Sequence, residues 1–446
     1  MYSPDPRALA TAPEGPRPAA WEWIAAGVII TMMTGAFMPF LAPGDGTETP
    51  ELRLVWLPIY AVILTLGFRR IREILSLWPA VVIAVGLAGL AFVSSRWSLE
   101  PDVTVRRSIA LGLSMLFAVY LAATFRGASL LRLLCFAFLP MALAGLATVA
   151  VNPVIGIHQD VNAGLWRGVW FEKNQAGMMM FTAILAATAL LVSGAPGRKL
   201  PIATIFFALV LLAGSQSKTS LLCLIAGGGT IVGLHLLRRV GPAGAVMLVW
   251  LGVVVGCGML TAFLVTPETF FTLLGKDPSL TGRTEIWDSL MRRADAQPWT
   301  GYGYAAFWGK ESMPANWVRL ETDWEVPSAH HGWLEVMIQL GRFGLAGVIA
   351  AFVVAIALTI VRLPGQGVRE GYFAAGYLVA LGFLSFSESI LLIHHNLTWA
   401  LFMAVLASRF LPEPYAAAAA APAPRPVARR PEFGRHPQPQ FRSVRT

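Results

Sequence analysis

The sequence predicts an all-α, polytopic membrane protein with about twelve transmembrane helices. Of its 446 residues, 56% are hydrophobic and only 13% are charged, whereas soluble domains carry about a quarter charged residues. The apolar residues collect into runs that approach the ~20 residues needed to cross a bilayer as a helix. The net charge of +9 would suggest nucleic-acid binding in a soluble chain. Here Lys and Arg flank the apolar runs, so membrane topology explains them better and we expect no nucleic-acid partner.

Twelve candidate spans follow one another along the chain, and eleven is the alternative because three of them are short. They cover residues 22–42, 53–68, 75–94, 107–125, 130–151, 175–193, 200–214, 219–237, 243–266, 333–361, 371–392 and 396–411. The predicted order is a cytoplasmic N-terminal segment (1–21), spans one to nine (22–266), one large external loop (267–332), spans ten to twelve (333–411) and a disordered cytoplasmic tail (412–446). The first residues lack the features of a cleaved signal peptide, so the first span is expected to serve as its own anchor.

The positive-inside rule supports this orientation, because each short loop placed in the cytoplasm carries at least two basic residues. These are Arg69, Arg70 and Arg72; Arg126 and Arg132; Arg198 and Lys199; Arg238 and Arg239; and Arg362 and Arg369.

Several external loops are also basic, where the rule predicts few charges. The residues are Arg96, Arg106, Arg107, Arg167, Lys173, Lys218, Arg283, Arg292, Arg293, Lys310 and Arg319. Each one alone is equally well explained as a solvated charge or a lipid-headgroup contact. Together they indicate an anionic ligand at the outer surface, and a diphosphate suits Arg forks and Lys point charges.

The long external loop contains a predicted helix followed by an aromatic segment. From Thr281 to Ala296, apolar residues recur at helical spacing, and Pro298 ends the pattern. The stretch PWTGYGYAAFW follows, with Trp299, Tyr302 and Tyr304 among its aromatic residues. Aromatic residues near a membrane surface are commonly interfacial anchors, and their density here also fits stacking against sugar rings.

The sharpest local signal is PSAHHGWLEVMIQLG at 327–341. We predict Ser328 as the helix N-cap, which places His330 and His331 in the first turn of span ten. The helix dipole disfavours an imidazolium there, so a histidine would stay neutral and able to accept a proton. The alternative is a purely structural polar cap. Glu335, about one turn further on, is predicted to orient an imidazole.

A second histidine pair, His394 and His395, falls in a predicted short external turn near Glu388. No HExxH or CxxC pattern accompanies it, so a metal site is not expected. The chain also lacks a Walker motif, a dinucleotide-binding fingerprint and a GxSxG elbow, which argues against ATP hydrolysis and serine-hydrolase chemistry.

Six ordered segments give the chain a resemblance to the superfamily of O-antigen ligases and Wzy-type polysaccharide polymerases, in its exopolysaccharide-polymerase branch. They are SSRWSLEPDVTVRRS (94–108), FEKNQAG (171–177), GSQSKTSLL (214–222), LTGRTEIW (280–287), PWTGYGYAAFW (298–308) and SAHHGWLE (328–335). The resemblance covers roughly residues 85–410, and the order and spacing of the segments make it specific.

The resemblance implies a GT-C-like glycosyltransferase of the bacterial inner membrane. Such enzymes use glycan carried on undecaprenyl pyrophosphate, at the periplasmic face and without a metal or other cofactor. By motif, it implies catalytic roles for His330, Arg283 and Lys218, where Lys218 stands in place of a common Arg and lacks its bidentate fork. Glu172 replaces a common His, and His331 replaces a common Asn.

The resemblance and the charge pattern together predict an inverting transfer in which His330 deprotonates the acceptor hydroxyl. Arg283 and Lys218 would stabilise the departing diphosphate. The predicted substrate-binding residues are Arg96, Arg106, Arg107, Arg167, Lys173, His331, Glu335, Trp299, Tyr302 and Tyr304. Membrane lipids and the lipid-linked glycan are the expected ligands, and a flippase and a chain-length copolymerase are the expected protein partners.

Three functions remain open at this stage. A polymerase would join repeat units that are both lipid-linked, and the GYGYAAFW stretch favours it. A ligase would pass the same donor glycan to lipid A-core or another acceptor. A transporter or flippase for the precursor is less favoured, because the spans hold almost no ionisable residues at mid-depth and the charges gather at one face.

Overall fold

The computed structural model describes residues 18–41, 50–160, 162–265, 283–366 and 371–411. Most of the predicted N-terminal segment, the first part of the predicted large loop (267–282) and the predicted tail (412–446) lie outside these ranges. Across the described residues the secondary structure is helical, apart from a single antiparallel bridge between Ile157 and Trp166.

Each of the twelve predicted spans overlaps a helix, in the same order along the chain, and short helices lie between some of them. They are α1 (Ala20–Met33), α2 (Met38–Leu41), α3 (Pro50–Arg69), α4 (Ile71–Leu75), α5 (Trp78–Val93), α6 (Pro101–Thr124), α7 (Ala128–Val151), α8 (Pro153–Gly156), α9 (Lys173–Val192), α10 (Lys199–Ser215), α11 (Lys218–Leu237), α12 (Pro242–Val265), α13 (Arg283–Ala296), α14 (Met313–Thr322), α15 (Gly332–Gln366), α16 (Gly371–Leu384) and α17 (Leu397–Ser408).

Six helices within the described ranges are long and apolar enough to cross a membrane, and they begin at Trp78, Pro101, Ala128, Lys173, Lys218 and Gly332. Shorter apolar helices accompany them, among them α1, α10, α16 and α17. The chain is therefore an all-helical, multi-pass membrane protein, as the sequence predicts. The number twelve and the GT-C-like arrangement remain predictions.

Small residues allow α11 and α16 to pack closely. A Cβ atom on Gly227 would lie 2.6 Å from the carbonyl oxygen of Gly376, and a Cβ on Gly376 would lie equally close to the carbonyl oxygen of Gly227. Apolar side chains gain little by leaving lipid for protein, so close backbone approach is a principal source of helix association in membranes. An alanine at either position would force these two helices apart.

One buried charge in the bundle is compensated within its surroundings. The Glu22 carboxylate on α1 accepts hydrogen bonds from Arg70 Nη2 at 2.8 Å and Arg70 Nε at 3.0 Å. Tyr120 Oη on α6 also donates to it, at 3.4 Å. Three elements thus meet at a charge-assisted cluster near the C-terminal end of α6.

The helix predicted over residues 371–392 ends at Leu384, and a non-helical segment follows it before α17. At 1.5 Å per residue, the 14 residues of α16 and the 12 of α17 span about 21 and 18 Å, well short of the ~30 Å hydrocarbon core. The His395 backbone N–H donates to Ser114 Oγ at 3.1 Å, and Ser114 lies near the middle of the 24-residue helix α6. His394 and His395 therefore lie against the middle of α6, and their position relative to the membrane remains a prediction. Non-helical backbone between two apolar helices is stable where protein surrounds it.

Candidate active site

The predicted loop helix forms, and it belongs to a small module with its own apolar core. Helix α13 begins at Arg283 and ends before Pro298, as the spacing predicts. We call residues 283–340 the loop module; it contains α13, α14 and the first turns of α15. Its buried core residues are Ile286, Leu290, Ala294, Phe307, Ala315, Val318, Val326, Ala329, Leu334 and Ile338.

A break in α15 at Gly341 joins the loop module to the helix bundle. Gly341 has φ +61° and ψ −159°, which interrupts the helical hydrogen bonds. The freed groups pair with the aromatic segment: Tyr302 N donates to Ile338 O and Gly303 N to Gln339 O, both at 2.9 Å. In return, Arg342 N donates to Pro298 O at 2.9 Å. The break therefore fixes residues 298–303 against α15.

The aromatic segment packs inward rather than forming an open platform. Tyr304 is only 1% exposed, and its hydroxyl donates to Leu392 O at 2.9 Å. The prediction that Tyr304 binds sugar is therefore wrong, because its ring is enclosed by protein. Tyr302 is half-buried and donates to Arg293 O at 3.0 Å, whereas Trp299 is 55% exposed. Of the three predicted aromatic contacts, Trp299 has the most accessible ring.

The segment 94–107 docks directly on the aromatic segment. Trp97 Nε1 donates to Thr300 O at 3.1 Å, and Thr104 Oγ1 donates to Tyr304 O at 2.8 Å. Arg107 donates from Nη1 to Ala305 O, so this guanidinium holds the loop in place. Arg96 and Arg106 are exposed and remain predicted ligand contacts.

The two histidines of the SAHH element have different environments. The prediction of Ser328 as N-cap is wrong: the helix begins at Gly332, and the ring Nδ1 of His331 accepts from Leu334 N at 3.2 Å. His331 thus caps α15 itself, and burial lowers its pKa, which favours the neutral form that this cap needs. Its ring packs edge-on against Trp287 and Phe386. These contacts give His331 a structural role.

His330 has the features of a neutral base. Its ring lies parallel to that of Trp324, with centroids 5.8 Å apart. Its Nε2 atom is buried without a hydrogen-bond partner among the described residues. Burial, aided by the nearby positive charge of Arg283, lowers the pKa of His330 to about 4. The imidazole is therefore neutral at pH 7, with a nitrogen that is not engaged by the protein.

Glu335 does not contact either imidazole. Its buried carboxylate accepts from Trp308 Nε1 at 2.8 Å, Gln339 Nε2 at 2.7 Å, Ala329 N at 2.8 Å and Ser389 Oγ at 3.2 Å. The prediction that it orients an imidazole directly is wrong. Its partners are instead the backbone and side chains around the SAHH element.

The turn at residues 385–389 connects His330 and Arg283 to the N-terminal ends of α9 and α11. Arg283 Nη1 donates to Ser387 O at 3.2 Å, and the next residue, Glu388, accepts from Asn174 Nδ2 at 3.4 Å. Asn174 Oδ1 accepts from Ser217 Oγ at 3.0 Å. Lys173 and Lys218 adjoin these two residues in the chain, as the first residues of α9 and α11.

The cationic residues predicted on separate loops are thereby brought to one region. The charge of Lys218 acts electrostatically on Lys173, and both stand at helix N-termini, where backbone N–H groups favour an anion. Arg283 approaches the same turn from the loop module. Binding of a diphosphate by these cations remains a prediction.

Arg167 has a different environment from these cations. Its guanidinium donates to the carbonyl oxygens of Ile155 at 2.7 Å, Val154 at 3.1 Å and Phe171 at 3.3 Å. It therefore fixes the loop between α7 and α9, and three of its five N–H groups are already used by backbone. Phosphate binding by Arg167 remains a prediction.

Sequence reasoning missed several members of this region, namely Asn174, Ser217, Ser387 and Ser389. A usable signal was present, because the polar run SFSES at 385–389 interrupts an otherwise apolar stretch. Within the described ranges, no three His, Cys, Asp or Glu side chains converge in a metal-binding arrangement. The metal-independent reaction remains a prediction.

Two comparisons with known proteins bear on this site. Residues 203–349 match the Wzy_C family model, described as O-antigen ligase, and this range contains Lys218, Arg283 and His330. The chain is also 26% identical over 305 residues to the exopolysaccharide production protein ExoQ of Rhizobium meliloti (strain 1021), which covers 65% of this chain. The match spans 66% of the length of that relative. These similarities confirm the predicted resemblance and support a membrane-bound, glycosyl-transferring role.

Proposed function

We propose that the protein is an inner-membrane glycosyltransferase that polymerises exopolysaccharide or O-antigen repeat units carried on undecaprenyl pyrophosphate. The observation that carries this proposal is the neutral His330 imidazole, with its unengaged Nε2, beside Arg283 and linked through residues 385–389 to Lys218. The name of the relative, an exopolysaccharide production protein, supports a polysaccharide substrate.

In the proposed reaction, Nε2 of His330 takes the proton of an acceptor hydroxyl while its oxygen attacks the anomeric carbon of the donor sugar. The new C–O bond forms on the face of the sugar opposite the diphosphate. The bond between the anomeric carbon and the diphosphate oxygen breaks, and the diphosphate leaves with the electron pair of that bond. The product therefore has inverted anomeric configuration. The step uses the chain's own residues and needs no metal.

The leaving diphosphate gains negative charge, and the cations of the site are placed to stabilise it. Arg283 can offer a planar pair of N–H donors, whereas Lys173 and Lys218 act as point charges at helix N-termini. Arg283 helps to lower the pKa of His330, and a bound diphosphate would counteract this lowering. A nearby anion favours the imidazolium that forms as the proton is transferred.

The charge distribution supports a periplasmic site. The basic pairs at Arg69–Arg70, Arg198–Lys199 and Arg238–Arg239 lie in turns at the opposite helix ends from Lys173, Lys218 and His330. Since basic short loops stay in the cytoplasm, this arrangement supports a site on the periplasmic side.

The test compares a His330→Ala strain with wild type and with His235→Ala, a control in the last turn of α11, at matched membrane levels. Electrophoresis of lipid-linked glycans and finished polysaccharide is the readout. We expect loss of long chains and accumulation of single repeats on the carrier in His330→Ala alone. Accumulation of long carrier-linked chains that never reach a terminal acceptor would show that the protein is a ligase rather than a polymerase. An unchanged pattern would refute the proposed mechanism.

A further inference from the structure

We propose that Glu335 is a positioning residue for His330, acting through the backbone N–H groups of the residues before and after the histidine; this inference rests on the proposed function. Glu335 is 3% exposed and sits one turn into α15, beneath the SAHH element. Its carboxylate takes no direct part in the proposed proton transfer, because it contacts neither imidazole.

The backbone N–H groups of Ala329 and His331, the residues on either side of His330, lead to this one carboxylate. The Ala329 N–H donates to Glu335 Oε2 at 2.8 Å. The His331 N–H donates to Ser389 Oγ at 3.4 Å, and Ser389 Oγ in turn donates to the same Oε2 at 3.2 Å. The backbone before and after His330 is therefore tied to a single buried acceptor.

His330 needs such support, because its backbone has φ +47°. A residue with a Cβ atom is strained in this left-handed region by about 1 kcal/mol or more. Hydrogen bonds from the backbone N–H groups of Ala329 and His331 keep the residue there, and this conformation determines where the imidazole points. The constraint is energetic as well as geometric, since an unpaired Ala329 N–H in this buried place would be costly.

The other carboxylate oxygen ties the same point to the aromatic segment. Oε1 accepts from Trp308 Nε1 at 2.8 Å and from Gln339 Nε2 at 2.7 Å. Gln339 Oε1 accepts from Ala305 N at 2.9 Å. Glu335 thus links the SAHH element, the turn at 385–389 and the aromatic segment, so that His330 is held relative to all three.

A carboxylate fits this position better than an amide. Four N–H or O–H groups point at Glu335, and an ionised carboxylate only accepts. Glutamine has nearly the same shape, but its NH₂ group would face two of these donors and would leave them unpaired. Glu335→Gln therefore tests the hydrogen bonds with little change in volume.

The experiment measures initial rates of chain lengthening in membranes that contain the full-length variant. The probe is lipid-linked repeat units extracted from a strain that lacks the protein, added over a range of concentrations. We expect Glu335→Gln to lower kcat by about ten- to a hundredfold, which is part of the ~10²–10⁴-fold contribution of a general base, with KM within about threefold of wild type. Glu311→Gln, at an exposed residue of the same module but outside the site, serves as the matched control and is expected to keep its kcat.

A double variant separates positioning from general structural damage. In a His330→Ala background, Glu335→Gln should cause no further loss of the residual rate, because residues that act as a unit are not additive. A further loss there, equal to the loss in wild type, would contradict a positioning role. Full activity of Glu335→Gln, with His330→Ala inactive, would refute this inference alone. Full activity of His330→Ala would refute the proposed function as well.

Discussion

The break at Gly341 predicts that Gly341→Ala will release the aromatic segment from α15. With φ +61° and ψ −159°, the residue occupies a region that is essentially restricted to glycine, and an alanine there costs about 1–3 kcal/mol. A Cβ atom would also lie 2.5 Å from Thr300 N and closer still to the Trp299 carbonyl group. These are backbone atoms, so the clash is relieved only if the segment moves.

The size of the effect follows from the hydrogen bonds that such a movement breaks. The donors Tyr302 N, Gly303 N and Arg342 N form bonds of 2.9 Å, and Phe343 N forms a longer bond of 3.3 Å. Each contributes about 1 kcal/mol net. With the strain of about 1–3 kcal/mol added to these four bonds, we expect local opening of residues 298–303 to become more favourable by about 5–7 kcal/mol, or a factor of roughly 10⁴–10⁵.

Hydrogen exchange, read by mass spectrometry on peptides covering residues 298–308, measures this opening in detergent-solubilised protein. Gly89→Ala is the matched control, because it lies within helix α5 and a Cβ there would meet no atom within 4 Å. Faster exchange in Gly341→Ala alone is expected, together with reduced polymer formation in cells. Equal protection in the two variants would show that the break does not hold the aromatic segment.

Two further predictions concern charge. His330, with a pKa near 4, should stay neutral well below the ordinary histidine pKa of about 6.5. Polymerising activity of membranes at subsaturating substrate should therefore not decrease through protonation of a histidine as the pH falls from 7 to 5.5. A decrease in activity centred near pH 6.5 would contradict the proposed environment. The Glu321 carboxylate accepts hydrogen bonds from Ser289, Arg292 and Arg293, which lower its pKa to about 2. Its stabilising effect is therefore complete above about pH 4.5 and is lost as the pH falls towards 2. Glu321→Gln should weaken the α13–α14 contact by about 1 kcal/mol, seen as roughly fivefold faster hydrogen exchange in residues 313–322 at pH 7, and unchanged exchange would refute this.

The apolar runs predicted the helices well because lipid satisfies no backbone hydrogen bonds, so each run must form its own. The helix at Arg283–Ala296 was predictable for a related reason, since its apolar spacing marks one buried face. The candidate chemistry of His330 and Arg283 came from the resemblance, carried by motifs that are contiguous in sequence.

Contacts between distant segments were not predictable from local patterns. The aromatic pattern predicts that Tyr304 contacts sugar, but its hydroxyl donates to Leu392 O, a residue 88 positions away in sequence. Only the folded chain shows that these two residues meet. Glu335 was placed near the histidines correctly, yet its partners Trp308 and Ser389 come from separate segments. Side-chain roles at a site depend on such neighbours.

The sequence by itself determined the class of the protein and its order of helices, and it predicts the residues most suited to chemistry, because hydrophobicity, charge and motif identity are local properties. Tertiary structure alone decided which of the two histidines has an unengaged nitrogen, which aromatic ring is buried and which helices residues 385–396 contact. Those outcomes depend on hydrogen bonds and packing between segments far apart in the chain. A sequence lists such groups without specifying the distances between them.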